Sequence, residues 1–319
     1  MEMCKKFGAK GGGVRVERLA SIKTMVMSDG ERYATLVDQA GIPLFYPTLY
    51  ITTQLRNRSL SYSTLVNEAG AINVLLQLFH ERGIDIHKCM EMGKLLEEHE
   101  IDAMRDRCQQ RLLNRDRVRD KQHVSFFSST QYVEKEVEYT RLTVIHRYLK
   151  FLCARIVPNR HDPVVVNEVA AMLEGILVRR PPKKNRNSMS VDFQEKGVDV
   201  ECLFEILRPG SEFNPWDDHA IQIRNRLAFL LLYELGIRRG ELLNLRCDDF
   251  DFSANRVKIA RRADELIDSR AHQPLVKTND RLLAVPVKLA SEVVNYITTV
   301  RNKTPNARLH PYLLVAHKH

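Results

Sequence analysis

The stretch from Phe229 to Asp251, FLLLYELGIRRGELLNLRCDDFD, limits what this chain can fold into more than any other. Ile223, Leu227, Leu230 and Leu231 recur at three- and four-residue spacing, and Phe229, Leu232 and Leu235 fill neighbouring positions. That pattern predicts a helix buried on most of its circumference. Gly236 ends it, because glycine enters the left-handed region without steric cost, and Gly240 lets a second helix, Glu241–Leu245, start close against the first. Arg238 and Arg239 then sit on a short corner between apolar helices. On the residues alone, an ordinary helix-turn-helix joint with solvated arginines is the default reading.

Charge narrows the partner. The net charge of +9 exceeds what solubility requires and points to an anionic surface such as nucleic acid. At 319 residues the chain has room for two domains of ordinary size. The six cysteines, Cys4, Cys89, Cys108, Cys153, Cys202 and Cys247, are scattered without a CxxC pair, so neither a zinc site nor a disulfide framework is indicated, and no metal or other cofactor is expected. Reduced thiols fit a cytoplasmic protein. No apolar run reaches about eighteen residues and no signal-peptide core follows Met1, so no membrane partner is expected.

Along the chain, residues 1–17 hold Lys5, Lys6, Lys10 and three consecutive glycines, and residues 18–58 mix short apolar runs with turn residues. The phrase Tyr33–Gly41 is echoed at Tyr62–Gly70, which is read as chance rather than as a two-copy unit. From Ser61 the pattern sharpens: Leu65, Ala69, Ile72, Leu75, Leu76 and Phe79 share a helical face that ends at Gly83. Further helices are predicted from Leu95 to Cys108, from Val133 to Leu152, and over Val165–Leu177. Seven basic residues between Arg105 and Lys121 are read as a solvated face. Arg179, Arg180, Lys183, Lys184 and Arg186 flank two prolines in an extended segment, either a linker along phosphates or a hinge kept soluble by charge. Asp217 or Asp218 caps the helix beginning near Ala220. Arg256–Ala260 and Leu282–Val285 read as strands of a small sheet, and Leu289–Ile297 as a helix.

The run Gly236-Ile237-Arg238-Arg239-Gly240-Glu241-Leu242 resembles the first catalytic box of the tyrosine recombinases, the phage-integrase family. Asp248-Asp249-Phe250 resembles that family's turn into its small sheet, and Pro274–Thr278 before Arg281 and Pro286 resembles the hairpin carrying its lysine. The resemblance runs over Arg224–Val315 and more loosely over Ser61–Val178. It implies a mainly α fold with a small antiparallel β-sheet. The expected divisions are an N-terminal extension or partial domain over 1–58, a helical core-binding-like domain over 59–178, a basic linker and domain entry over 179–215 and an integrase-type catalytic domain over 216–319, expected to be incomplete.

The implied reaction is DNA strand breakage and rejoining through a 3′-phosphotyrosyl link. The partner would be double-stranded DNA, held by a homo-multimer on paired sites. By position in the box, Arg238 would stabilise charge on the phosphoryl oxygens with its planar fork. Glu241 would orient that fork or simply cap the helix, and Lys277 would donate a proton to the leaving 5′-oxygen. Arg239 falls at a variable position and is expected to contact DNA, as are Arg261 and Arg262. The family pattern then departs: no H-x-x-R follows Lys277, and Tyr296 and Tyr312 lie in apolar surroundings that suit packing. The 319 residues are therefore expected to bind DNA weakly without cleaving it. An inactive DNA-binding or regulatory remnant is the alternative, and a basic helical interaction protein a third.

Overall fold

A computed structural model describes residues 19–111, 132–183 and 199–317, apart from 267, 269, 271–272 and 275–278. The chain forms two units, the first from Met1–Met25 and Tyr33–Asn185, the second from Val26–Arg32 and Arg186–His319.

Two long helices make the heart of the first unit. Helix α2 (Tyr62–Glu81) and helix α5 (Lys135–Ile156) pack together; the predicted face of α2, from Leu65 to Phe79, is buried, and α5 answers with Leu142, Ile145, Tyr148, Leu149 and Leu152. Gly83 closes α2 with a φ of +70°, a conformation that a side chain would strain. Helix α4 (Glu98–Gln109) adds Ile101, Met104 and Cys108, and helix α6 (Pro163–Val178) adds Met172, Leu173 and Ile176. Asp162 starts α6 by accepting the Val164 N–H at 2.8 Å, with Pro163 at the first helical position. A short helix, α3 (Ile86–Glu91), was not foreseen.

The same unit takes in most of the stretch before residue 59. Strands β1 (Ser21–Val26) and β2 (Arg32–Val37) pair as a two-stranded sheet, and all six residues of β2 are buried. Helix α1 (Phe45–Tyr50) sets the Tyr50 ring 5.3 Å from that of Tyr148 and 5.2 Å from that of Phe151. The echoed phrases adopt different structures: Tyr33–Val37 lies in β2 and Tyr62–Gly70 in α2. They are not two copies of one structural unit; packing partners decide between strand and helix for so short a phrase.

In the second unit, a short helix, α7 (Val200–Ile206), lies within the span expected as linker and domain entry. Helix α8 (His219–Leu235) begins where Asp218 accepts the Ile221 N–H at 2.9 Å and ends at Gly236 with a φ of +58°. Helix α9 (Arg239–Leu242) follows, shorter than the predicted Glu241–Leu245. Strands β3 (Phe250–Asp251), β4 (Arg256–Ile259) and β5 (Arg281–Ala284) form an antiparallel sheet in that order, pairing Val257 with Leu283 and Ile259 with Arg281. Helix α10 (Val287–Thr299) and the segment Leu313–Val315 close a core around Leu227, Leu231, Leu242, Val257, Val293 and Tyr296. One expectation needs correcting. Helix α8 is not buried on most of its circumference, because Phe229 and Tyr233 are exposed while α10 packs against the helix.

Candidate functional site

The corner between α8 and α9 is built on a carboxylate. Arg238 is extended, with φ −78° and ψ 155°, so it stands just ahead of α9. Three residues later Glu241 turns back, and its Oε2 accepts the Arg238 N–H at 2.9 Å, satisfying a donor that the helix leaves free. This places the Glu241 side chain inside the unit, only 1% exposed. A buried carboxylate requires a cation. Arg281, the first residue of β5, supplies it with a two-pronged grip: Nη1 donates to Oε1 at 3.0 Å and Nη2 to Oε2 at 2.8 Å. That bond pushes the Arg281 pKa upward.

The same carboxylate has a second guanidinium beside it. Arg238 Nη1 lies 3.5 Å from Glu241 Oε1, yet its side chain is 64% exposed. Glu241 thus ties the α8–α9 corner to the edge of β5, and Arg238 projects outward from the tie. Such a group offers a fixed positive fork to an anion arriving from solvent.

Of the other expected site residues, Arg239 and Arg261 are exposed, and the Arg261 N–H donates to Asp280 Oδ1 at 2.8 Å. Arg262 is engaged internally: it pairs with the buried Asp249, Nη1 donating to Oδ2 at 3.1 Å and Nη2 to Oδ1. In the first unit Arg179 does not lie on an extended linker. It caps α6, and its Nε donates to Asp102 at 2.6 Å. Arg180 lies over the Tyr139 ring at 4.8 Å and donates to Thr143 Oγ1 at 3.2 Å. Both are occupied because the helix end folds them back onto neighbouring helices. Lys183 is exposed, whereas Lys184, Arg186 and Lys277 lie outside the described residues.

Both tyrosines expected to pack do so. Tyr296 is fully buried, burial raises its pKa, and its hydroxyl accepts the Val315 N–H at 3.4 Å. Tyr312 is 7% exposed, with the Arg270 guanidinium 4.1 Å from its ring centre. Sequence reasoning gave Arg281 no role. The signal was indirect: a glutamate turned inward at the start of a helix needs a positive partner from elsewhere. Arg301 was also missed; its buried guanidinium donates to the carbonyls of Ala307, His310 and Tyr312. Among the described residues, no group of three or more His, Cys, Asp or Glu could hold a metal ion.

No curated protein matches this chain. A solved structure described as a crystal structure of XerA recombinase aligns at 15% identity over 85% of this chain and 68% of its own, with a TM-score of 0.26. Residues 212–319 match the phage integrase family model, a span that contains Arg238, Glu241 and Arg281. Residues 212–319 therefore carry the match to the phage integrase, or tyrosine recombinase, family.

Proposed function

We propose that this protein binds double-stranded DNA and belongs to a machinery of DNA integration or site-specific recombination. In it, Arg238 would meet the phosphate at which a strand is broken and rejoined through a 3′-phosphotyrosyl intermediate. The observation that carries this reading is the outward guanidinium of Arg238, backed by a buried carboxylate that Arg281 already grips. Charge developing on phosphoryl oxygens is best met by donors fixed beforehand, and Glu241 limits where the Arg238 fork can go. Arg239 and Arg261 would contact flanking phosphates; Lys183 and Lys184, assigned by the sequence, would bind DNA as well. Lys277, assigned by the sequence resemblance, would protonate the leaving 5′-oxygen. Pairing of sites would require a homo-multimer on DNA.

Tyr296 and Tyr312 are too buried to serve as nucleophile. For residues 1–319 by themselves the reading is duplex binding without strand cleavage, which also suits an inactive regulatory relative of the family. The experiment is a salt titration of duplex binding, together with incubation on a nicked suicide substrate. Affinity should fall steeply with salt, with a slope of about 0.9 per neutralised phosphate in log–log form, and no covalent adduct should appear. Affinity indifferent to salt would favour a basic interaction protein and overturn the proposal. A covalent adduct would overturn the inactive reading alone.

A further inference from the structure

The turn Val26–Arg32, which groups with the second unit, carries an arginine with an unusual set of partners. Arg32 is 3% exposed. Its Nη1 donates to the carbonyls of Gly30 at 2.7 Å and Glu265 at 3.1 Å, and its Nη2 to those of Asp268 and, at 3.5 Å, Arg270. Every one of these acceptors is a main-chain oxygen. Among the described residues no carboxylate meets this buried guanidinium, which gives up solvation for dipoles alone, so what it recognises is the position of the main chain at Glu265, Asp268 and Arg270.

A second observation points the same way. Gly30 has a φ of +88°, and a Cβ there would overlap the Asp264 carbonyl oxygen. The turn is thus fitted to the segment at two places. That segment is in turn fastened to the far side of the α9 corner. Arg246 pairs with Glu265, Arg270 Nη1 donates to the Leu243 carbonyl at 2.8 Å, and Arg270 grips Asp268 through Nε and Nη2, both at 2.8 Å. Burial pulls the Asp268 pKa up, but the bonds from Arg270 outweigh it and leave the net shift downward. Asp268 therefore stays charged beneath the clamp.

We infer that Arg32 is a positioning residue: it holds the main chain at Glu265, Asp268 and Arg270 where Arg246 and Arg270 can brace the α9 corner from which Arg238 projects. It touches no DNA itself. The part of this inference that concerns DNA rests on the proposed function; the clamp does not.

Hydrogen exchange on the free, full chain tests the clamp directly. Arg32→Ala should speed exchange at the amides of Asp264, Asp268, Arg270 and Leu245 by about tenfold or more, with the α10 amides unchanged. Arg32→Lys should not restore protection, because a single ammonium cannot span carbonyls that a planar fork reaches. Gly30→Ala, which leaves every donor in place, should loosen the same amides. Unchanged exchange in Arg32→Ala, or full rescue by lysine, overturns the inference. A duplex salt titration then separates positioning from mere support: if wild type binds, the Arg32→Ala slope should drop by about 0.9 for each phosphate that the corner no longer neutralises. Exchange that rises while the slope stays at the wild-type value would overturn the positioning role. Wild type that fails to bind duplex would count against the proposed function and leave the exchange result to decide the clamp.

Discussion

Glu68 and Glu241 are both buried carboxylates, 2% and 1% exposed, yet they use their arginines in different ways. Glu68, on α2, accepts the Tyr50 hydroxyl at 2.9 Å and Arg147 Nη2 at 2.7 Å. One phenol and one half-exposed cation join three helices. Glu241 takes both prongs of Arg281 and the main-chain N–H of Arg238, and it still has a second guanidinium at its side. The first carboxylate consumes its arginine; the second holds one arginine to present another. Burial alone therefore does not mark a functional acid; under the proposed function, the mark is an excess of cation around one.

The largest effect expected from breaking this comparison is at Arg281. Arg281→Ala removes the fork and leaves the Glu241 charge buried, which costs about 3 kcal/mol or more. Chemical denaturation followed on the second unit should show it. The corresponding change in the first unit, Arg147→Ala, should cost less, about 1–2 kcal/mol, because Arg147 is half exposed and Tyr50 still bonds Glu68. Equal losses would mean that the two carboxylates are held alike.

The difference was only partly legible in the sequence. The glycines around Ile237–Arg239 and the glutamate three residues beyond Arg238 mark the corner, because local backbone geometry is written in neighbouring residues. The partner of Glu241 comes from β5, forty residues away, and reaches it only through the β4–β5 register that sets Arg281 opposite Ile259. No spacing rule within one segment contains that. Arg179, Arg180 and Arg262 show the same limit from the other side: a charge run predicts cations, but folding decides which carboxylates and rings absorb them. The β1–β2 hairpin is a different case. Asp29-Gly30 between apolar runs is a turn signal, and the many turn residues after it masked the signal. In α8 the apolar pattern was correct and the burial was not, since periodicity shows which face could be covered and not whether a neighbour covers all of it.

A pH titration sharpens the contrast at smaller amplitude. Burial, against the pull of Arg147 and Tyr50, raises the Glu68 pKa above the ordinary 4.5. The folded state then binds more protons than the unfolded chain in the window above pH 4.5. Glu68 therefore contributes stability at low pH that is lost as pH rises through its folded pKa. The wild-type denaturation midpoint, relative to that of Glu68→Gln, should fall across that window. His87 runs the other way: burial lowers its pKa below 6.5, so its contribution is lost as pH drops beneath that value. His87→Gln should flatten the acid side of the curve without changing the Glu68 window.

The smallest effect on stability, and the sharpest on binding, is expected at Arg238. Its guanidinium is 64% exposed and 3.5 Å from a carboxylate that Arg281 already neutralises, so Arg238→Ala should change unfolding free energy by no more than about 0.5 kcal/mol. The main-chain bond from residue 238 to Glu241 survives the substitution, and the corner keeps its shape. Duplex affinity should nevertheless fall, and the salt slope should drop by about 0.9, the signature of one phosphate left without its cation. Arg238→Lys should recover part of the slope and little of the affinity, since an ammonium brings charge without the planar fork. A variant that is destabilised as much as Arg281→Ala would place Arg238 with the spent arginines. One that binds DNA with the wild-type slope would separate the outward guanidinium from phosphate recognition.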